Sequence, residues 1–232
     1  ARQSERLRCV GIAIAGDVPA LAAEVKRLLD GGVRAIWMPS ASPPGGVSPA
    51  HPDLDPVYAM LAAADAPLLA HVGADFDFLK TTVWRDAPAF QGFKVGEEFD
   101  MDPWTMSTVQ LPVRNFLATM VLGGVFERHP RLRFGSCEVM GHWVGPLAHH
   151  LDFLHANQHK FTLGNTKGGL PIKMKPSDYI RRNMRAALFD IEPADDYIER
   201  FGMPEIYCYA SDYPHLEGGK APMHDLSARL ER

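Results

Sequence analysis

Three apolar runs of this 232-residue chain end in groups that can hold a metal ion or move a proton: His71 in "LLAHVG", Glu138 in "GSCEVMG" and Asp212 in "YASDYPH". One imidazole and two carboxylates make a ligand set suited to Zn²⁺ or Mn²⁺. The same groups are the usual general acids and bases. His215, three residues past Asp212, either faces the same point and donates to a substrate carboxylate or rests on the helix that follows. Each residue taken singly also has a plain structural reading. A strand-end histidine is commonly a hydrogen-bonded core residue, and a strand-end acid commonly caps the next helix. Their repetition at the ends of separate runs points to a shared site, because a parallel sheet aims the C-terminal ends of its strands at one face.

The elements that would position them alternate along the chain. "RCVGIAIAG" (8–16) is short, apolar and closed by glycine, as a strand buried on both faces is. In "DVPALAAEVKRLLDGG", Val18, Leu21, Val25 and Leu28 recur at helical spacing, with Asp17 as N-cap and Gly31-Gly32 as the stop. "RAIWMPS" (34–40), "APLLAHVG" (66–73), "RLRFGSCEV" (131–139), "RAALFD" (185–190) and "EIYCYAS" (205–211) read as five further strands. Helical faces intervene, set by Leu54, Val57, Tyr58 and Leu61, by "LPVRNFLATMVLGGVFERHP", by Trp143, Leu147, Leu151 and Leu154, and by "EPADDYIERFG". Six βα units without hairpins predict a parallel sheet. An open doubly wound sheet and a (β/α)8 barrel both fit this alternation. The first strand is not followed by a GxGxxG fingerprint, so a dinucleotide fold gains no support. If the fold is a barrel, two strands are absent.

Composition narrows the class. Hydrophobic residues make up 46% of the chain, enough for one sizeable core, and the net charge is −4 with acids and bases interspersed. No basic stripe suggests nucleic acid, and no apolar run approaches the roughly 18–20 residues that span a bilayer. "ARQSERLRCV" lacks the apolar core of a signal peptide. Cys9, Cys137 and Cys208 are odd in number, widely spaced and set in apolar runs, which reads as buried free thiols. The expectation is a soluble, cytoplasmic, globular chain.

"SDYPH" after an apolar strand, preceded by "GVFERHPRLRFGSCEVMGHWVGPLAHHLDFL" and "HPDLDPVYAMLAAADAPLLAHVG", resembles the amidohydrolase-related (amidohydrolase 2) family. That family includes the aminocarboxymuconate-semialdehyde decarboxylase and γ-resorcylate decarboxylase group. The similarity runs from the first strand to about Gly219, with the segments in the right order. It implies a (β/α)8 barrel of TIM type with one divalent metal in its mouth, Zn²⁺ first and Mn²⁺ as the alternative. His71 matches the histidine ligand at the end of the fifth barrel strand. Asp212 matches the eighth-strand aspartate, which binds metal and positions or deprotonates the attacking group. Glu138 falls where many decarboxylases of the group carry a histidine and others a glutamate in an "ES-G-W"-like context, similar to "EVMGHW" here.

The paired "HxH" or "ExH" of the family's first strand has no counterpart in this sequence. The six strands then correspond to the third through eighth, and "DLSARLER" stops partway through the last helix. The expected domain is a single amidohydrolase-like barrel over 1–232, incomplete, with two unpaired sheet edges. With the paired ligands missing, metal would be held weakly or not at all by His71, Asp212 and Glu138.

The function implied is a metal-dependent hydrolase or carboxy-lyase acting on a small carboxylated, cyclic or aromatic substrate. Asp212 would orient or deprotonate the reacting group, and Glu138 or His215 would shuttle the proton. A homodimer is expected, and neither nucleic acid nor membrane is a partner. The rival reading is a non-catalytic barrel that binds or scaffolds and has lost its metal. Trp84 and Trp104, in the irregular stretch 75–110, read as an apolar lid or as a small satellite core. His142, His149, His150, His155 and His159 read as a solvated face, and Arg181, Arg182 and Arg185 as surface residues.

Overall fold

The computed structural model describes residues 8–72, 79–93, 102–161, 169–213, 215 and 218–230. Six strands appear where the apolar runs predict them, each shorter than its run: β1 (Val10–Ile12), β2 (Ala35–Trp37), β3 (Leu68–His71), β4 (Phe134–Cys137), β5 (Met184–Leu188) and β6 (Tyr207–Tyr209). All pair in parallel, in the order β1-β2-β3-β4-β5-β6. A doubly wound sheet reverses its strand order at a switch point, and this one never does. Sequential parallel order is that of an arc of a (β/α) barrel. Among the described residues the arc is open, because β1 and β6 each have one hydrogen-bonded neighbour.

The helices are α1 (Val18–Asp30), α2 (Asp55–Ala63), α3 (Pro103–Thr108), α4 (Leu111–Leu122), α5 (Val125–Arg128), α6 (Val144–Ala156), α7 (Gln158–Phe161), α8 (Pro176–Asn183), α9 (Ala194–Phe201) and α10 (Pro222–Leu230). The α1 caps follow the sequence: Asp17 Oδ1 accepts from Ala20 N at 2.8 Å, and Gly31 closes the helix. The core fills the space between one face of the sheet and this helical layer. Leu21 and Val25, Val57, Tyr58 and Leu61, and Phe116, Leu117 and Met120 are buried with Ile36, Leu68 and Phe134 of the strands.

At the two edge strands, β1 and β6, the other face of the sheet is uncovered by described residues. Gly11 lies against Leu28 of α1, so its neighbours Val10 and Ile12 point the opposite way and are exposed. Likewise, Tyr207 packs on Tyr197 of α9 with ring centroids 5.9 Å apart, which turns Cys208 outward. This geometry corrects the reading of the cysteines. All are free thiols, but Cys9 and Cys208 are exposed and Cys137 is only partly buried. Apolar neighbours in sequence imply burial only where both faces of the sheet are covered.

Trp84 is 63% exposed, while Trp104 in α3 is half-buried. Asp102 caps α3 by accepting from Thr105 N at 3.0 Å, and it holds Arg85 at 2.9 Å. Residues 75–78 and 94–101 of the irregular stretch lie outside the described residues. His142, His149, His150 and His159 are exposed. Arg182 donates to the Phe126 carbonyl and Arg181 pairs with Glu205 at 3.1 Å; both precede β5, at the end of the sheet away from His71. No helix among the described residues is long and apolar enough to cross a membrane.

Candidate functional site

His71 is the last residue of β3, Glu138 follows β4 directly, and Asp212 lies three residues past β6. Parallel pairing therefore delivers all of them to one rim, with His71 level with Cys137 across the β3–β4 ladder. Two of the three leave their strands through unusual backbone. Glu138 has φ 55° and Asp212 φ 51°, in the left-handed region where side chains other than glycine are uncommon. Such conformations cluster at functional sites because they aim side chains that regular geometry cannot.

The loop after Asp212 is tightly folded. His215 N donates to the Asp212 carbonyl at 2.8 Å and Gly218 N to the His215 carbonyl at 3.2 Å. A side chain on Gly218 would collide with the Ser211 carbonyl. Gly219, at φ 66°, lies against the Asp190 carboxylate. These contacts account for the glycine pair that ends the motif, since both positions lie where a Cβ has no room.

Glu138, Asp212 and His215 each offer one ligand atom within 4.8 Å of the others. His215 Nδ1 stands 3.6 Å from both Glu138 Oε1 and Asp212 Oδ1. His71 stands beside this group rather than in it. Its Nε2 contacts Glu138 Oε2 at 3.1 Å and its Nδ1 the Val72 carbonyl at 2.6 Å, and Trp37 meets the ring edge-on with centroids 5.8 Å apart. The structure thus gathers all four residues singled out in the sequence, but divides them differently. The three-donor group contains His215, and His71 is the partner of one donor.

The electrostatics match that division. The hydrogen bond to Glu138 raises the pKa of His71 against the opposing effect of partial burial, helped by the Val72 carbonyl and the nearby carboxylates. The hydrogen bond from His71 lowers Glu138; burial opposes this, and Asp212 and His215 reinforce it. Both ring nitrogens of His71 face acceptors, which is the arrangement an imidazolium beside an ionised carboxylate requires.

The donor set fits a divalent cation. In a tetrahedral site, bonds of about 2.0–2.2 Å place ligand atoms about 3.3–3.6 Å apart, which the 3.6 Å separations of His215 Nδ1 from the two carboxylate oxygens match. Three protein ligands with an open position are the usual complement of a catalytic site. Two carboxylates and an imidazole suit Mn²⁺ and Zn²⁺.

One participant escaped sequence reasoning. Glu192, 5% exposed, accepts from Gly141 N at 2.7 Å and Phe189 N at 2.9 Å. "FDIEP" carries no signal of this beyond an acid close to a strand end.

Comparison with known proteins agrees with the fold. Residues 1–230 match the model of a protein family described as Amidohydrolase. No curated protein matches the sequence. The chain is similar in structure to an amidohydrolase of Mycobacterium avium subsp. paratuberculosis K-10, with TM-score 0.72 and 21% identity over 95% of this chain and 52% of that one. It is also similar to the 5-carboxyvanillate decarboxylase of Sphingomonas paucimobilis, with TM-score 0.65 and 23% identity over 97% and 60% of the two chains. A third is the 5-carboxyvanillate decarboxylase of Novosphingobium aromaticivorans DSM 12444, solved with manganese and 4-hydroxy-3-methoxy-5-nitrobenzoic acid, with TM-score 0.66 and 20% identity over 93% and 56%. The chain spans little more than half the length of these proteins, 52% to 60%.

Proposed function

Because the chain belongs to the amidohydrolase family, we infer that its strand-end rim serves a metal-dependent enzyme acting on a small carboxylated, cyclic or aromatic compound. The observation that carries this reading is the approach of Glu138, Asp212 and His215 to within 4.8 Å of one another. A divalent ion held there would supply Lewis-acid polarisation of a substrate oxygen. Asp212 orients the reacting group and accepts its proton. His71 and Glu138, paired at 3.1 Å, hold a proton at the rim that can be returned to the substrate. His215 is the donor placed to meet a substrate carboxylate. Manganese in one structurally similar decarboxylase supports Mn²⁺ as the first ion to test, and Zn²⁺ has the same donors available. The aromatic acids named for two of the similar structures support that substrate class, and C–C cleavage with release of CO₂ is the first reaction to assay. Hydrolysis of an amide or lactone would draw on the same residues.

Calorimetric titration of the chain with MnCl₂ and ZnCl₂ tests the metal, and CO₂ release from carboxylated phenols against amide or lactone cleavage tests the reaction. The expected result is one bound ion, with affinity falling roughly 10–100-fold or more in Asp212→Asn. Unchanged affinity in Asp212→Asn would overturn the three-donor site, and absence of uptake of either ion would favour the non-catalytic barrel that binds or scaffolds.

A further inference from the structure

Glu192 belongs to none of the roles above, yet its carboxyl group is buried and bonded to the turn that follows β4. It follows β5, and β5 is the strand hydrogen-bonded to β4 on one side and β6 on the other. A buried carboxyl is strongly unfavourable unless its oxygens accept hydrogen bonds. Those of Glu192 do: Oε1 accepts from Phe189 N at 2.9 Å, and Oε2 from Gly141 N at 2.7 Å and the Tyr197 hydroxyl at 3.4 Å.

The bond to Gly141 reaches across to a different strand's loop. That loop, 138–143, begins with Glu138 and holds two residues in the left-handed region, Glu138 at φ 55° and Met140 at φ 57°. Each such residue is strained and persists only where its surroundings impose it. Two groups do so here. The Trp143 indole donates to the carbonyls of Val139 and Met140 at 3.1 and 2.9 Å, and Glu192 holds the Gly141 amide. Gly141 itself is pressed against Leu188 and Tyr207, where a Cβ would clash, so the turn is seated on β5 and β6 as well as tied to them.

We propose that Glu192 is a positioning residue, locking the turn after β4 in the conformation that presents the Glu138 carboxylate to His71, Asp212 and His215. The proposal rests on the reading of Glu138 as part of a metal-binding rim, but its structural half stands apart from that reading. Glutamine at 192 offers one acceptor oxygen where the carboxyl offers two, so either Gly141 or Phe189 loses its partner. Alanine removes both.

The test compares Glu192→Gln and Glu192→Ala with Asn183→Ala, a buried residue before β5 whose amide donates to the Pro130 and Leu132 carbonyls. Three quantities are read on the whole chain: the melting temperature, hydrogen exchange at the Gly141 and Phe189 amides, and Mn²⁺ affinity. The expected result is Gly141 exchange faster by roughly tenfold or more in Glu192→Ala. Mn²⁺ affinity should fall roughly 10–100-fold, with Glu192→Gln intermediate in both. Asn183→Ala should melt earlier yet keep Mn²⁺ affinity and Gly141 protection. Unchanged Gly141 exchange in folded Glu192→Ala, or unchanged exchange at both Gly141 and Phe189 in folded Glu192→Gln, overturns the proposal. So does an equal loss of Mn²⁺ affinity in Asn183→Ala at an equal loss of melting temperature. If the unsubstituted chain binds no Mn²⁺, Glu138, Asp212 and His215 do not suffice as a metal site, and the exchange measurement still decides whether Glu192 holds the turn.

Discussion

Glu138 and Asp212 leave their strands at φ 55° and 51°, in a region that disfavours any L-residue by about 1–2 kcal/mol relative to glycine. Their chemical types were legible in the sequence, since acids directly after apolar runs stand out. Their backbone conformation was not, because the usual marker of that region is glycine. The pairing of His71 was also hidden: a strand-end histidine reads as a ligand or as a hydrogen-bonded core residue, and neither reading names the carboxylate it meets at 3.1 Å. A residue kept in strained backbone for its side chain should show opposite signs in stability and function. Replacing Glu138 with glycine relieves the strain and forfeits a half-exposed ion pair with His71, which is worth about 0–1 kcal/mol. Glu138→Gly is therefore expected to unfold in urea at no lower concentration than the unsubstituted chain, with up to about 1 kcal/mol gained, while losing Mn²⁺ uptake. A clear drop in its urea midpoint would mean that the conformation is not strained.

At the scale of elements, periodicity located the helices well, and Leu21, Val25, Val57, Tyr58 and Leu61 are buried as their spacing predicts. What fastens one element to another was illegible, because the partners lie far apart in sequence. The joint between α2 and α5 shows this. Arg128 at the end of α5 grips Asp55 at the start of α2, with Nε at 2.9 Å from Oδ2 and Nη2 at 3.0 Å from Oδ1. The same guanidinium donates to the Gly123 carbonyl at 2.9 Å, and His129 Nε2 adds a contact with Asp55 Oδ1 at 3.0 Å. Burial by itself would raise the Asp55 carboxyl, but the hydrogen bonds from Arg128 and His129 outweigh it and hold it below its ordinary 3.8. A carboxyl depressed in the folded state contributes stability that is fully present above its unfolded value and is lost as pH falls through the folded one. Asp55→Asn is thus expected to lose about 1–3 kcal/mol at pH 7, measured by urea unfolding, and the gap should shrink as pH falls below about 4. A gap that stays constant with pH would show that the neutral amide loses packing rather than charge.

At the scale of the molecule, the described residues form an arc of six parallel strands with helices on one face, and that strand count was readable from alternation alone. The difference between its two faces was not, since a run such as "IYCYA" is equally apolar whether one side or both are covered. The cysteines report on this directly. Cys9 and Cys208 lie exposed, Cys208 on the face opposite α9. Cys137 is partly buried at the end of β4, and burial raises its thiol pKa, with smaller contributions from Glu138 and Cys208. Thiolate is the reactive form, so accessibility and ionisation act together to slow Cys137. A chromogenic disulfide reagent at pH 8 should therefore modify two thiols of the native chain rapidly and the third far more slowly. All three should react at once in denaturant. Cys208→Ser should remove one fast equivalent and leave the slow phase in place. If Cys208 proves as protected as Cys137 in the native chain, the open face of the sheet is covered in solution.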